Sequence, residues 1–363
     1  MSPLFKPFSL KSLDLPNRIV MAPMTRSMSP DGIPNNDVVE YYKKRAAADV
    51  GLILSEGTTI DRQGASFDPK IPNFHQEESL AGWKNVIDAV QSVGGKMGPQ
   101  IWHVGMARKP GTGPHPDAYS DSPSGITHTG KLVQPIPTQE EISDITDAYA
   151  SAAGNAKKLG FDMVEIHGAH GYLVDQFFWD VMNRRDDKYA GTLIDRTEFA
   201  REVIRKCRAA IGEEMPLCIR VSQWKQQDYS AKLAQTPKEL EAFLTSLTDA
   251  GIDLLHCSQR RFWEPEFEGS DLNFAGWAKK LTGVPTISVG SVGLKGDFFG
   301  AFKGEGSEVA SLDNLLERME RDEFDLIAVG RALIQDPHWA TKVKEDRLKD
   351  LQAYSADSLK VLT

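Results

Sequence analysis

Several things are scarce or missing in this sequence of 363 residues, and each absence excludes something. Only three cysteines are present (Cys207, Cys218 and Cys257), well separated and with no C-x-x-C. That spacing argues against a zinc or iron–sulfur site, and it suits the reducing cytoplasm. No apolar run approaches the roughly 18 residues of a spanning helix, so no membrane partner is expected. The opening M-S-P-L-F-K-P-F lacks the basic-then-apolar form of a secretory signal, which adds to the cytoplasmic expectation. Basic residues are outnumbered, 42 against 51 acidic, and the net charge of -9 argues against a nucleic-acid partner. Neither G-x-G-x-x-G after a strand nor G-x-x-x-x-G-K-[ST] occurs, so no Rossmann unit or P-loop is written here.

What is present is an alternation of short apolar strands and amphipathic helices. Strands are expected at Arg18–Met24, Gly51–Ser55, Lys96–Trp102, Met163–Ile166, Pro216–Val221, Leu254–Cys257, Val284–Val289 and Phe324–Val329. Helical spacing falls between them, as in Leu80, Trp83, Val86, Ile87 and Val90. Thr138 opens one helix as a capping box with Glu141, and Thr236-Pro237 opens another with proline at its favoured place. The segments L-G-F-D-M-V-E-I-H, A-G-I-D-L-L-H-C-S and D-E-F-D-L-I-A-V-G echo one another. Their spacing, in multiples of about 40 residues, would also suit a propeller, but capped helices between the apolar runs oppose one. About eight such units predict a (β/α)₈ TIM barrel, with an open doubly wound sheet as the second choice. The whole chain, 1–363, is read as one barrel domain. Residues 103–137, rich in Gly and Pro and without periodicity, are read as a cap insertion after the third strand. Residues 341–363 are read as a C-terminal helix and tail, and a second, glycine-rich insertion is expected at 293–306.

In such barrels chemistry collects at the C-terminal ends of the strands. Those ends carry Pro23, Met24 and Thr25, then Gly57, Gln100, His167 with His170 and Tyr172, Arg220, Ser258, Gly290-Ser291, and Gly330-Arg331. His167, His170 and Tyr172 fall within six residues, giving two imidazoles and a phenol able to donate or exchange protons. Arg220 stands inside the apolar run C-I-R-V-S, where a guanidinium needs an anion or strong acceptors. Gln100 offers a donor and an acceptor to an imide edge, and Gly290 with Arg331 forms the usual phosphate corner of the fold. Together they fit flavin mononucleotide, with Gln100 on the pyrimidine edge, Arg220 beside N1/O2 and phosphate at Gly290 and Arg331. Taken singly, either glycine could be a tight turn, and Arg331 could instead pair with Asp336. A nicotinamide cofactor would then visit the flavin face rather than occupy a domain of its own.

The motifs N-R-I-V-M-A-P-M-T-R, Q-I-W-H-V-G, E-I-H-G-A-H-G-Y-L-V-D-Q-F, N-R-R-D-D-K-Y, I-R-V-S and V-G-R-A-L-I-Q-D-P occur in this order. In them the chain resembles the Old Yellow Enzyme family of FMN-dependent ene-reductases, over about Leu4 to Ala340. The resemblance implies that Thr25 contacts the flavin O4 edge and that Gln100 and Arg220 contact the pyrimidine edge and N1/O2. It implies further that His167 and His170 bind the substrate's carbonyl or nitro oxygen, that Tyr172 donates a proton, and that Trp102 walls the pocket. The activity implied is ping-pong reduction of an activated alkene's C=C bond, with NADPH or NADH as transient hydride donor. Ala190, Asp195 and Met106 depart from the commoner family pattern. Phe262 could contact substrate, or with Trp263 simply pin its loop. The other readings kept open are an FMN barrel dehydrogenase or oxidase acting on a C–N or C–C bond, and a non-catalytic flavin-binding protein. A monomer or homodimer is expected.

Overall fold

The computed structural model describes residues 2–296, 300 and 303–363. Part of the 293–306 insertion therefore lies outside the described residues. Eight parallel strands close into a barrel: β1 (Ile19–Met21), β2 (Leu52–Thr59), β3 (Met97–Trp102), β4 (Val164–His170), β5 (Leu217–Lys225), β6 (Leu254–Ser258), β7 (Thr286–Val289) and β8 (Leu326–Val329). Each pairs with its sequence neighbour, and β8 closes on β1. The helices between them pack their apolar faces on the outside of the barrel, as the alternation predicts. The helix Gln139–Leu159 starts on the predicted capping box: the Glu141 amide donates to Thr138 Oγ1 at 3.2 Å, and Glu141 Oε2 accepts from the Thr138 amide at 2.7 Å.

The barrel interior is a packed core rather than a pore. Val20, Ala22, Leu52, Leu54, Met163, Cys218, Leu254, Ile287, Leu326 and Ala328 fill it from the N-terminal end upward. Gly98 makes room for this filling, since a Cβ there would lie 2.5 Å from Met163 Cγ. An antiparallel hairpin, Phe8–Leu10 with Leu13–Leu15, lies ahead of the first strand. Its Phe8, Leu13 and Leu15 join the interior cluster and stopper the lower mouth. Above the apolar filling the inward side chains turn polar at Gln100, Glu165, Arg220 and His256, toward the upper, C-terminal mouth.

Three strands run further than the sequence predicts. β2 continues through Gly57 to Thr59 across an irregularity between Leu54 and Gly57. β4 carries on through the glycine-bearing stretch as far as His170, which pairs with Lys225 after a register shift at Gly168. β5 likewise reaches Lys225. The physical cause is a local register shift, which absorbs one extra residue of β2 against β3 and two extra residues of β5 against β4 and lets each ladder resume. His170 takes φ 66°, a left-handed backbone rarely seen outside glycine, and so marks a constrained position.

Residues 103–137 hold only a short 3₁₀ turn, Gly105–Ala107, and the isolated bridge Ile126–Leu132. Their order comes from polar ties. Arg108 donates to the carbonyls of Thr112, His115 and Ala118, and Arg185 to those of Pro123 and Pro137. Asp121 accepts from both arms of Arg62 at 2.9 Å and sits 2.8 Å from His103 Nε2. Burial alone would raise the Asp121 carboxyl, but the His103 and Arg62 contacts hold it well below the usual carboxylate range. At the other end of the chain a helix (Trp339–Lys344) and two 3₁₀ turns wrap the barrel. Arg26 donates to the carbonyls of Ser358, Leu359 and Val361 there, which brings Tyr354 and Leu359 up to the barrel mouth.

Candidate active site

A cavity of about 490 Å³ opens at the C-terminal mouth, within the size range of small-molecule sites. Pro23, Met24, Thr25, Gln100, Trp102, His167, His170, Tyr172, Arg220, Gly290, Ser291, Gly330 and Arg331 all line it. Strands separated by hundreds of residues thus deliver to one space the side chains read from the strand ends. Two predicted residues do not reach it. Gly57 lies inside β2 under the Trp102 indole, where a Cβ would come within 2.4 Å of the ring, so its smallness seats Trp102. Phe262 is buried away from the cavity. Its amide donates to the Gly290 carbonyl at 3.1 Å and its carbonyl accepts from Asn273 at 2.8 Å, so Phe262 pins its loop, with Trp263 edge-on at 5.1 Å.

One wall is aromatic. The His167 ring stacks beside Trp102 at 5.9 Å between centroids, with Tyr172 edge-on at 5.0 Å and His170 at 5.2 Å. His170 in turn stacks on Trp224 at 4.5 Å. Burial first, and then the nearby Arg220 charge, push both imidazoles well below their ordinary pKa, so both rings are neutral. The Ala169 amide donates to His167 Nδ1 at 3.3 Å. An Nδ1 that accepts leaves the ring proton on Nε2, making His167 a hydrogen-bond donor through that atom. His170 Nε2 lies 2.7 Å from Ser258 Oγ, and its amide donates to Ser222 Oγ at 2.9 Å, which holds the strained residue in place. Burial raises the Tyr172 phenol above its ordinary value, against the opposing effects of Gln226 and Arg220, so it stays protonated.

The floor is polar and charged. Arg220 donates from Nη2 to Ser258 Oγ at 3.4 Å, while its buried Nε has no partner among the described residues. Gln100 donates from Nε2 to Glu165 Oε1 at 2.8 Å. At the far end the chain turns sharply at Gly290, φ 150°, where a Cβ would meet the Gln259 carbonyl and the Phe262 amide at 2.8 Å. Arg331 reaches across to Ser291 Oγ at 3.2 Å and the Gly296 carbonyl at 2.6 Å. Asp336, its alternative partner from sequence, is taken by Lys342 at 2.7 Å.

Sequence reasoning missed Phe67, Trp224, Gln226, Arg260 and Tyr354 on the walls, and Glu165 and His256 beneath the floor. For Glu165 and His256 a signal existed: each is a charged or polar residue at an inward position of an apolar strand, as Arg220 is. Gln226 and Arg260 stand on irregular loops without periodicity, and nothing local marked them.

The comparisons agree with this geometry. Residues 3–350 match the model of the NADH:flavin oxidoreductase / NADH oxidase family. The chain is 32% identical over 356 residues to 12-oxophytodienoate reductase 7 of Oryza sativa subsp. japonica, covering 93% of this chain and 86% of the relative. It is 34% identical over 362 residues to flavin oxidoreductase hxnT of Emericella nidulans, covering 95% and 91%. Among solved structures, morphinone reductase in complex with tetrahydroNAD superposes with a TM-score of 0.81 at 27% identity, covering 98% of this chain and 93% of that one. With its closed parallel barrel and the match across nearly its full length, the chain belongs to the NADH:flavin oxidoreductase / NADH oxidase family, the Old Yellow Enzyme family.

Proposed function

We propose that this chain is an FMN-dependent ene-reductase in which His167 and His170 hold the substrate's electron-withdrawing group and Tyr172 supplies the proton. The observation that carries the reading is the packing of two neutral imidazoles and a protonated phenol on one wall, with the His167 ring 5.2 Å from His170 and 5.0 Å from Tyr172, above a floor holding Arg220 and Gln100. FMN is the cofactor of this family, and the residues present suit it. The buried Arg220 Nε awaits an acceptor, Gln100 offers an amide to an imide edge, and the side-chain-free turn at Gly290 stands beside the Arg331 guanidinium. When bound, FMN would supply the redox chemistry, the relay of a hydride from NADPH or NADH to the alkene β-carbon.

The protein's own part is orientation and proton supply. His167 donates from Nε2 toward a carbonyl or nitro oxygen, and a donor fixed where negative charge develops stabilises the enolate-like product of hydride addition. Neutral rings suit this role, because they donate without a proton having to arrive first. Trp102 and Trp224 fix the two rings by stacking. Tyr172 protonates the α-carbon, a step of general acid catalysis typically worth about 10²–10⁴-fold. The substrate class is thus an α,β-unsaturated carbonyl or nitro compound. The three free thiols are all buried and suit a cytoplasmic setting, and among the described residues no helix is long and apolar enough to cross a membrane.

The test is a spectrum. The purified protein should be yellow, bleach anaerobically with NADPH or NADH, and recolour on addition of cyclohexenone. Bleaching by a reduced organic substrate alone would point to a dehydrogenase, and a yellow protein that turns over neither would point to a binding role.

A further inference from the structure

Beneath the cavity floor lies a carboxylate to which the chemistry above gives no role. Glu165, on β4, is completely buried. Its Oε1 accepts from Gln100 Nε2 at 2.8 Å, its Oε2 lies 2.7 Å from His256 Nδ1, and the Cys218 thiol approaches Oε2 at 3.4 Å. Gln100 and Glu165 are register partners on β3 and β4, as are Arg220 and His256 on β5 and β6. Four consecutive strands therefore send Gln100, Glu165, Arg220 and His256 inward as one polar belt, capping the apolar filling of the barrel. Burial opposes ionisation of Glu165, but His256, Arg220 and Gln100 outweigh it and hold the carboxyl below its usual value. Enclosing a charge costs several kcal/mol unless it is well partnered, and an apolar residue would fill the same space without that cost. Packing alone does not account for Glu165.

Two consequences follow from its chemistry. An ionised carboxylate only accepts, so Gln100 must turn its NH₂ downward, leaving the amide oxygen as the acceptor offered to the cavity it lines. Arg220, the cation of the floor, feels the negative charge of Glu165 directly. With His256 neutral, its pKa lowered chiefly by burial, the belt sums to one positive and one negative charge. We propose that Glu165 is a positioning residue for the flavin end of the site: it fixes the orientation of the Gln100 amide and, by partly cancelling Arg220, sets the reduction potential of the bound FMN. The inference rests on the reading that FMN fills this cavity.

The decisive comparison is the midpoint potential of FMN bound to the wild type, Glu165→Gln and Glu165→Asp, measured by equilibration with reference dyes. Removing the charge in Glu165→Gln should leave Arg220 uncompensated, favour the electron-rich reduced flavin and shift the potential positive. Glu165→Asp keeps the charge, so its potential should stay much closer to that of the wild type. An unchanged potential in Glu165→Gln, or an equal shift in both variants, would overturn the proposal. The wild-type apoprotein supplies a check that needs no variant to fold. It should bind N3-methyl-FMN at least roughly tenfold more weakly than FMN, because the Gln100 oxygen loses the donor it faces. Equal affinity would refute the Gln100 orientation. Failure of the wild type to bind FMN at all would instead remove the functional reading, a result separate from either of these.

Discussion

Gln226 donates a hydrogen bond from its side-chain amide to the phenol oxygen of Tyr172 at 2.9 Å. The direction matters. A Tyr oxygen that accepts from Gln226 keeps its own O–H free to donate elsewhere, and the amide steadies the phenolate left after the proton departs. Gln226 therefore aims the acid as well as supporting it. Hydrogen bonds to charged groups contribute about 1.5–3 kcal/mol, so Gln226→Leu should slow alkene reduction at least roughly tenfold. Flavin reduction by NAD(P)H needs no proton from Tyr172 and should be little changed. Stopped-flow measurement of both half-reactions checks this, and equal rates in variant and wild type would show that Gln226 does not support the acid.

Burial and Arg220 lower the pKa of His167 and of His170, whereas burial raises that of Tyr172. The imidazoles are then neutral above their ordinary value near 6.5, and the phenol stays protonated below its ordinary value near 10. Neither kind of group changes state between about pH 7 and 9. The rate of alkene reduction by the prereduced enzyme should be flat over that interval. A limb inside it would mean that one of the three titrates there.

Glu56 offers a test of stability rather than of rate. Burial, the leading cause, pushes its carboxyl up to about 7, although the Arg26 and Ser27 amides donate to it. A carboxyl with a raised folded value contributes stability that is fully present below its unfolded value and is lost as pH rises through about 7. The loss is roughly 3 kcal/mol at 1.36 kcal/mol per pH unit. Glu56→Gln keeps an acceptor oxygen for the amides and does not ionise. Its melting temperature relative to wild type should therefore climb between pH 5 and pH 8, as scanning calorimetry would read. A difference independent of pH would refute the assignment.

The barrel was legible because helix caps and strand exits are written locally. Thr138 with Glu141 and Thr236 with Pro237 announce helix starts, and the Asp-then-apolar echo announces strands. The exits were less legible, because a bulge depends on the neighbouring strand. His167–His170 reads as a loop, yet the ladder resumes after Gly168 and carries His170 onward as strand. Gly57 reads as an exit glycine for the same reason, whereas it makes room for an indole from β3. Phe262 sits in the cavity's neighbourhood in sequence, but its backbone ties it to Gly290 and Asn273. Pairings such as Gln226 with Tyr172, or Arg26 with the carbonyls of Ser358 and Leu359, join segments whose spacing carries no pattern. Glu165 and His256 obey the alternation that exposed Arg220 and were within reach of sequence reasoning.

Separation of roles between the flavin floor and the Tyr172 wall is tested most directly by Tyr172→Phe in anaerobic stopped-flow. The substitution removes one hydroxyl from a ring already fixed edge-on to Trp102 at 4.8 Å and to His167 at 5.0 Å. Bleaching by NAD(P)H should proceed at close to the wild-type rate, while reoxidation by cyclohexenone should fall about 10²-fold or more. Equal slowing of both half-reactions, or no slowing of either, would contradict the account.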